Sequence, residues 1–155
     1  MNAMTILKRC RSAESDKRRI RQKIQQRREA QACITSNPDP NGGGRGSAES
    51  DKMLSMVSKL DELERDLYQR EQNRTIEVTA ACALLDTLPE NASRVLHKYY
   101  VVGEKLSNIS RSVGYSDGYV RKLKWHGEAS MGAISPDIVR KHLPDWYLSE
   151  YPEKR

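Results

Sequence analysis

Between Ser116 and His126 the chain places Arg121, Lys122, Lys124, Trp125 and His126 directly behind Ser116, Asp117, Gly118 and Tyr119. These side chains bind rather than transform. Guanidinium and ammonium groups donate to guanine O6 and N7 in a major groove or to phosphate oxygens, and hydroxyl and ring donors reach the sugar-phosphate backbone. On helical spacing Asp117, Gly118, Arg121, Lys122 and Trp125 share one outward face, with Val120 and Leu123 on the opposite, apolar one. Arg121 and Lys122 are the expected guanine readers. Ser116, Tyr119, Lys124 and His126 are expected against the backbone, while Lys105, Ser107 and Arg111, just upstream, would grip phosphates. An ordinary solvated helix carries the same residue types, so the assignment depends on what positions them.

What positions them is Leu106 to Lys124, which reads as a helix-turn-helix. Ser110 stands four before Gly114, and Gly114 six before the β-branched Val120. Two short helices crossing steeply tolerate only a small side chain at the crossing, and the turn needs a residue that accepts positive φ. Ser116 is placed to cap the second helix, and Asp117 suits its positive end. Ahead of this unit Pro89 fits the first position of a helix running to about Val102, with Ala92, Val95, Leu96, Tyr99 and Tyr100 as its buried side and Gly103 as its stop. Leu106, Ile109, Val113, Val120 and Leu123 would close a small core with Leu88, Val95, Leu96 and Tyr99.

The rest of the 155-residue chain predicts an all-α protein: an N-terminal helical hairpin or coiled-coil arm, then the helix-turn-helix bundle. Charged residues make up 31%, Phe is absent and the net charge is +6. That balance favours a nucleic-acid partner, although an acidic protein surface would also fit. The charge is unevenly spread. Residues 1–34 carry ten Lys/Arg against three Asp/Glu, and 51–89 five against eight. Residues 1–34 form the basic helix, with Ile6, Cys10, Ala13, Ile20 and Ile24 as an apolar stripe. The basic residues around it, Lys17, Arg18, Arg19, Arg21, Lys23, Arg27 and Arg28, would suit phosphates, or solvent, or an acidic neighbouring helix.

Residues 35–50 are a Gly/Pro/Ser-rich loop. Residues 51–87 are the acidic coiled-coil-like helix, capped by Ser47 or Ser50, with a seam at Met53, Met56, Leu60, Leu63 and Leu67 that continues through Arg70, Arg74, Glu77, Ala81, Leu84 and Leu88. Joined through the loop, basic and acidic helices would pair antiparallel. The alternative is pairing of the second helix with its copy in a homodimer. The hexapeptide Ser-Ala-Glu-Ser-Asp-Lys occurs at both 12–17 and 47–52, with nothing flanking it that matches.

Catalysis is not expected. His97, His126 and His142 are scattered, and Cys10, Cys33 and Cys82 form no C-x-x-C, so neither a metal site nor a cofactor is indicated. Gly42 to Gly46 lacks the Gly-Lys-Ser/Thr end of a phosphate cradle. No signal peptide or membrane span is apparent, and three unpaired cysteines suit a reducing, cytoplasmic setting in a bacterial host.

Leu88-Pro89, Val95-Leu96, Tyr99-Tyr100, Gly103, and then Leu106-Ser107, Ile109-Ser110, Val113-Gly114-Tyr115-Ser116 and Val120-Arg121 together resemble region 4 of bacterial sigma-70 factors, over residues 88–127. With the helical arm and its Gly-rich break, the layout is similar to the sigma-like phage and prophage regulators of Firmicutes, relatives of the RinA and ArpU late-gene activators. That resemblance implies binding of promoter DNA and a contact with RNA polymerase. The chain departs from the pattern at Ser110, where the family usually has Ala, at Gly118 within the reading helix, and at Gly127, expected to end that helix early. No segment resembles sigma region 2, so promoter melting in the ordinary sigma manner is not implied.

The C-terminal extension, 128–155, predicts a short helix from Ser135-Pro136-Asp137 to about His142. An aromatic tail follows, Trp146, Tyr147 and Tyr151, as either a strap over the bundle or a docking peptide. Three functions follow from these readings: a sequence-specific double-stranded-DNA-binding transcriptional regulator, a viral DNA-packaging recognition subunit assembling as a large ring, or a coiled-coil adaptor binding RNA polymerase.

Overall fold

The computed structural model describes residues 1–35 and 46–151, and over them the chain is all-α. The elements are α1 (Ala3–Thr35), α2 (Gly46–Leu85), α3 (Glu90–Leu96), a π-helical segment (His97–Val102), α4 (Leu106–Val113), α5 (Asp117–Gly132), α6 (Pro136–Lys141) and α7 (Asp145–Glu150). No strand occurs among the described residues. No helix among them is long and apolar enough to cross a membrane. The residues group into two compact units, Ser15–Glu71 and Met1–Glu14 with the chain from Gln72 onward.

The Ser15–Glu71 unit is an antiparallel pair of helical segments. Arg21 meets Glu71 at 2.8 Å while Arg28 meets Glu64 at 2.7 Å, so α1 ascends as α2 descends. Lys17 reaches Glu71 at 3.6 Å and Arg70 reaches Asp16 at 3.7 Å. Such exposed pairs each contribute little; they select the partner, and the apolar stripe supplies the burial. Ile20 and Ile24 are buried, and Met53, Met56, Leu60, Leu63 and Leu67 are half-buried. The α2 seam is thus taken by α1 of the same chain. The helices extend further into the Gly/Pro stretch than expected: Thr35 closes α1, and α2 begins at Gly46, so Ser47 and Ser50 lie inside it rather than capping it. Residues 36–45 of the expected loop lie outside the described residues.

In the other unit the apolar residues form two clusters. The larger joins Ile6, Leu7 and Cys10 of α1, Ala80, Ala81, Leu84 and Leu85 of α2, Leu96, Tyr100 and Val101, and Met131, Val139, Leu143 and Tyr147. The smaller is Val95, Ile109 and Val120, flanked by Leu106, Val113, Tyr115 and Leu123. The single small core expected from the sequence is therefore divided: Leu96 and Leu88 belong to the larger cluster, and Tyr99 packs against both. Pro89 is the N-cap of α3 rather than its first helical residue. Gly103 stops the π-helical segment at φ 83°, in the role expected of it.

Gly127 does not end α5, which continues to Gly132. It is buried instead, and a Cβ there would lie 2.8 Å from Leu96 Cδ1, 3.2 Å from Leu96 Cγ and 3.5 Å from Ala92 Cβ. A glycine whose helical φ gives no reason for it is here explained by the close crossing of α3 and α5. Leu96 is itself fully buried and has little room to yield. Gly127→Val is expected to destabilise by about 1–3 kcal/mol through overpacking, read by chemical denaturation; unchanged stability would show that Leu96 can repack.

The C-terminal extension behaves as a strap. Ser135 caps α6 by accepting from the Asp137 amide, with Pro136 in the first turn, as expected. Beyond it Leu143 and Tyr147 are buried in the larger cluster. The Tyr147 hydroxyl donates to Glu77 and accepts from Arg9 Nη1 at 2.8 Å, and Asn73 donates to the Tyr151 hydroxyl at 2.9 Å. Trp146 stays 48% exposed.

Candidate nucleic-acid interface

The turn between α4 and α5 has the local chemistry its residues require. Gly114 adopts φ 73°, and the next amide, from Tyr115, returns to the Ser110 carbonyl at 3.1 Å, closing α4. Ser116 has extended backbone, and its hydroxyl accepts from the Tyr119 amide, starting α5. Ser110 is buried at the crossing, where its one hydroxyl proton serves either the Asp117 carboxylate or the Ser107 carbonyl at 3.0 Å. A hydroxyl at this position is therefore useful where alanine was the resemblance's expectation: it bonds the first turn of α5 to α4. Val120, fully buried between Val95 and Ile109, fixes the rotation of α5.

With Val120 turned inward, Gly118, Tyr119, Arg121, Lys122, Trp125 and His126 are exposed on α5. Trp125 is 66% and Tyr119 45% exposed, large values for aromatic side chains. Trp125 and His126 stack edge-on at 5.0 Å, and Tyr119 meets Tyr115 edge-on at 5.2 Å. Arg121 and Lys122 make no ion pair among the described residues. Asp117 stands one turn before Arg121, but its carboxylate accepts from Ser110, so both cations face solvent unpaired and can meet anions and base-edge acceptors. Gly118 adds no side chain, and a Cβ there would meet nothing within 4 Å, so the backbone of the first turn is open to close approach. On the preceding helix Lys105, which stands at the N-cap, Ser107 and Arg111 are all exposed.

Three expected residues are committed within the protein. Ser116 is used as a cap and Asp117 accepts from Ser110. Lys124 is turned inward: its ammonium pairs with Glu128 at 2.6 Å and lies 4.8 Å from the centre of the Tyr99 ring. Helical spacing placed Lys124 beside the reading face; Glu128, four residues on, was a local pairing signal not used, whereas Tyr99 could not be found from spacing. Arg11 was not singled out for this site at all. It lies 3.7 Å over the Tyr99 ring and donates to the Tyr99 carbonyl, so α1 holds the π-helical segment against which Lys124 rests. Tyr100 completes the set by donating to Glu128; burial and that carboxylate push its phenol above the usual range. No local spacing could have found Arg11, which is 88 residues from Tyr99.

The surface therefore offers hydrogen-bond donors, two unpaired cations and exposed aromatic rings on a rigidly anchored helix. No group of His, Cys, Asp and Glu is placed to hold a metal ion among the described residues. A scan against protein-family models, a search of curated proteins and a search of solved structures each return no match.

Proposed function

We propose that this chain is a sequence-specific double-stranded-DNA-binding transcriptional regulator, of phage or prophage genes, that lays α5 in the major groove. The observation carrying this reading is the outward row of Arg121, Lys122 and Trp125 on a helix whose opposite side is locked by buried Val120. α4, with Lys105, Ser107 and Arg111 exposed, crosses the phosphate backbone, in the manner of a helix-turn-helix. The resemblance to sigma region 4 supports the same docking and supplies the phage context.

The experiment is binding of the purified chain to its own upstream DNA and to random duplex at two salt concentrations. Phosphate contacts release counterions and weaken with salt irrespective of sequence, whereas base contacts add discrimination. The expected result is a preference for one upstream site that survives the higher salt. Equal, salt-sensitive binding to both duplexes removes the reading role. A second reading, an adaptor for RNA polymerase, is favoured by Ile138 and Trp146, which are 44% and 48% exposed near the C-terminus. Polymerase capture retained after Arg121 and Lys122 are neutralised, with no duplex affinity, would select it.

A further inference from the structure

We infer that Arg19, Lys23 and Arg27 form a phosphate-binding row on the arm that engages the backbone of a nucleic-acid duplex without reading its sequence. The identity of the polyanion rests on the function proposed above; the row rests on the arm itself. Apart from Arg18, which is exposed and lies one residue off the spacing of that row, the cations of α1 within the Ser15–Glu71 unit divide into two sets. Lys17, Arg21 and Arg28 are answered by acids of α2, Glu71 at 3.6 Å and 2.8 Å and Glu64 at 2.7 Å. The other set is not answered. Lys23 and Arg27 are exposed and make no ion pair among the described residues. Arg19, with its side chain 74% exposed, has among the described residues only Asp16 on its own helix, at 3.9 Å.

Their four-residue spacing puts these three on one face of α1, rising about 6 Å per step. That is close to the roughly 7 Å axial separation of alternate phosphates along one strand of a duplex. No Asp or Glu occurs from Arg19 to Arg27. Like charges four apart on a helix repel, so the row weakens α1 taken alone, and no acid among the described residues of α2 neutralises it. An external, regularly spaced anion does. An acidic protein surface would also meet the charge, but the regular row with no intervening acid matches a repeating phosphate lattice better.

The test uses the full chain with Arg19, Lys23 and Arg27 all changed to Gln, a good helix former that removes the repulsion. Thermal melting should be undiminished, which keeps the comparison interpretable. Binding to random and upstream duplex is measured over a salt series. Each lost phosphate contact lowers the slope of log affinity against log salt by about 0.9, so the triple variant should lose roughly 2–3 units of slope, equally on both duplexes. An unchanged slope overturns the inference, including the case in which the triple variant instead loses binding to a polyglutamate peptide. The double variant Arg121→Ala with Lys122→Ala is run in parallel. Loss of discrimination between duplexes there, with no slope change in the triple variant, sinks the arm row and leaves the α5 reading intact. The converse pattern sinks the α5 reading alone.

Discussion

Tyr147→Ala is expected to cost about 3–5 kcal/mol of stability, the largest effect of any single substitution considered for this protein. Tyr147 is fully buried, and its ring lies in the cluster that joins α1, α2 and the C-terminal helices. Truncation removes that apolar area and also the hydroxyl that bonds Glu77 and receives Arg9. Glu77 would then be left in the interior with Arg9 at 3.9 Å as its remaining cation.

Tyr147→Phe separates the two contributions, because it keeps the ring and deletes only the donor; a loss of about 1–3 kcal/mol is expected. Its size should depend on pH. Burial raises the Glu77 pKa above the ordinary carboxylate value, while the Tyr147 hydrogen bond and the Arg9 charge oppose that rise. Deleting the hydroxyl raises it further. A group whose folded-state pKa is raised contributes stability that is fully present below its unfolded value and is lost as pH climbs through the folded one. The deficit of Tyr147→Phe against the parent should therefore be smallest at or below the ordinary glutamate pKa of about 4.3 and grow as pH climbs through the raised folded-state value, followed by urea denaturation at each pH. A deficit that is flat with pH, or greatest in acid, would show that the hydroxyl does not hold the Glu77 carboxylate.

Arg121→Ala is expected to lower affinity for the preferred duplex by about 1–3 kcal/mol, roughly five- to 150-fold, and to relax the preference at one base pair. Arg121 is exposed and unpaired, and Val120 beside it carries the packing, so stability should change by no more than about 0.5 kcal/mol. The readout is competition between specific and random duplex. Equal losses on both would reduce Arg121 to a phosphate contact, and no loss on either would remove it from the interface.

The approach of basic α1 to acidic α2 was readable from segment charge and from stripes repeating every three or four residues, because both are local properties of a helix surface. The turn was readable for the same reason: Gly114 answers a backbone demand and Ser116 an orphan-amide demand, each within a few residues. Gly127 was misread. A glycine near the end of an apolar period looks like a stop, and only the approach of Leu96 and Ala92 from another helix shows that it is a crossing point. For Lys124 the partner Glu128, four residues on, was legible in the helix spacing, but only the tertiary structure brought the Tyr99 ring against it.

By itself the sequence determined the all-α class, the paired charged helices, the conformation of the Gly114 turn, and the inward and outward faces of α5. Hydrophobic period, capping and positive φ act over one or two turns of chain. Only the tertiary structure decided that Met1 to Cys10 and the tail around Tyr147 share one core, that Arg11 braces the segment behind the candidate interface, and which basic residues keep their charges free. Those outcomes depend on contacts such as Arg9 with Tyr147, 138 residues apart, where burial and pairing are settled by packing between helices that no spacing within a helix encodes.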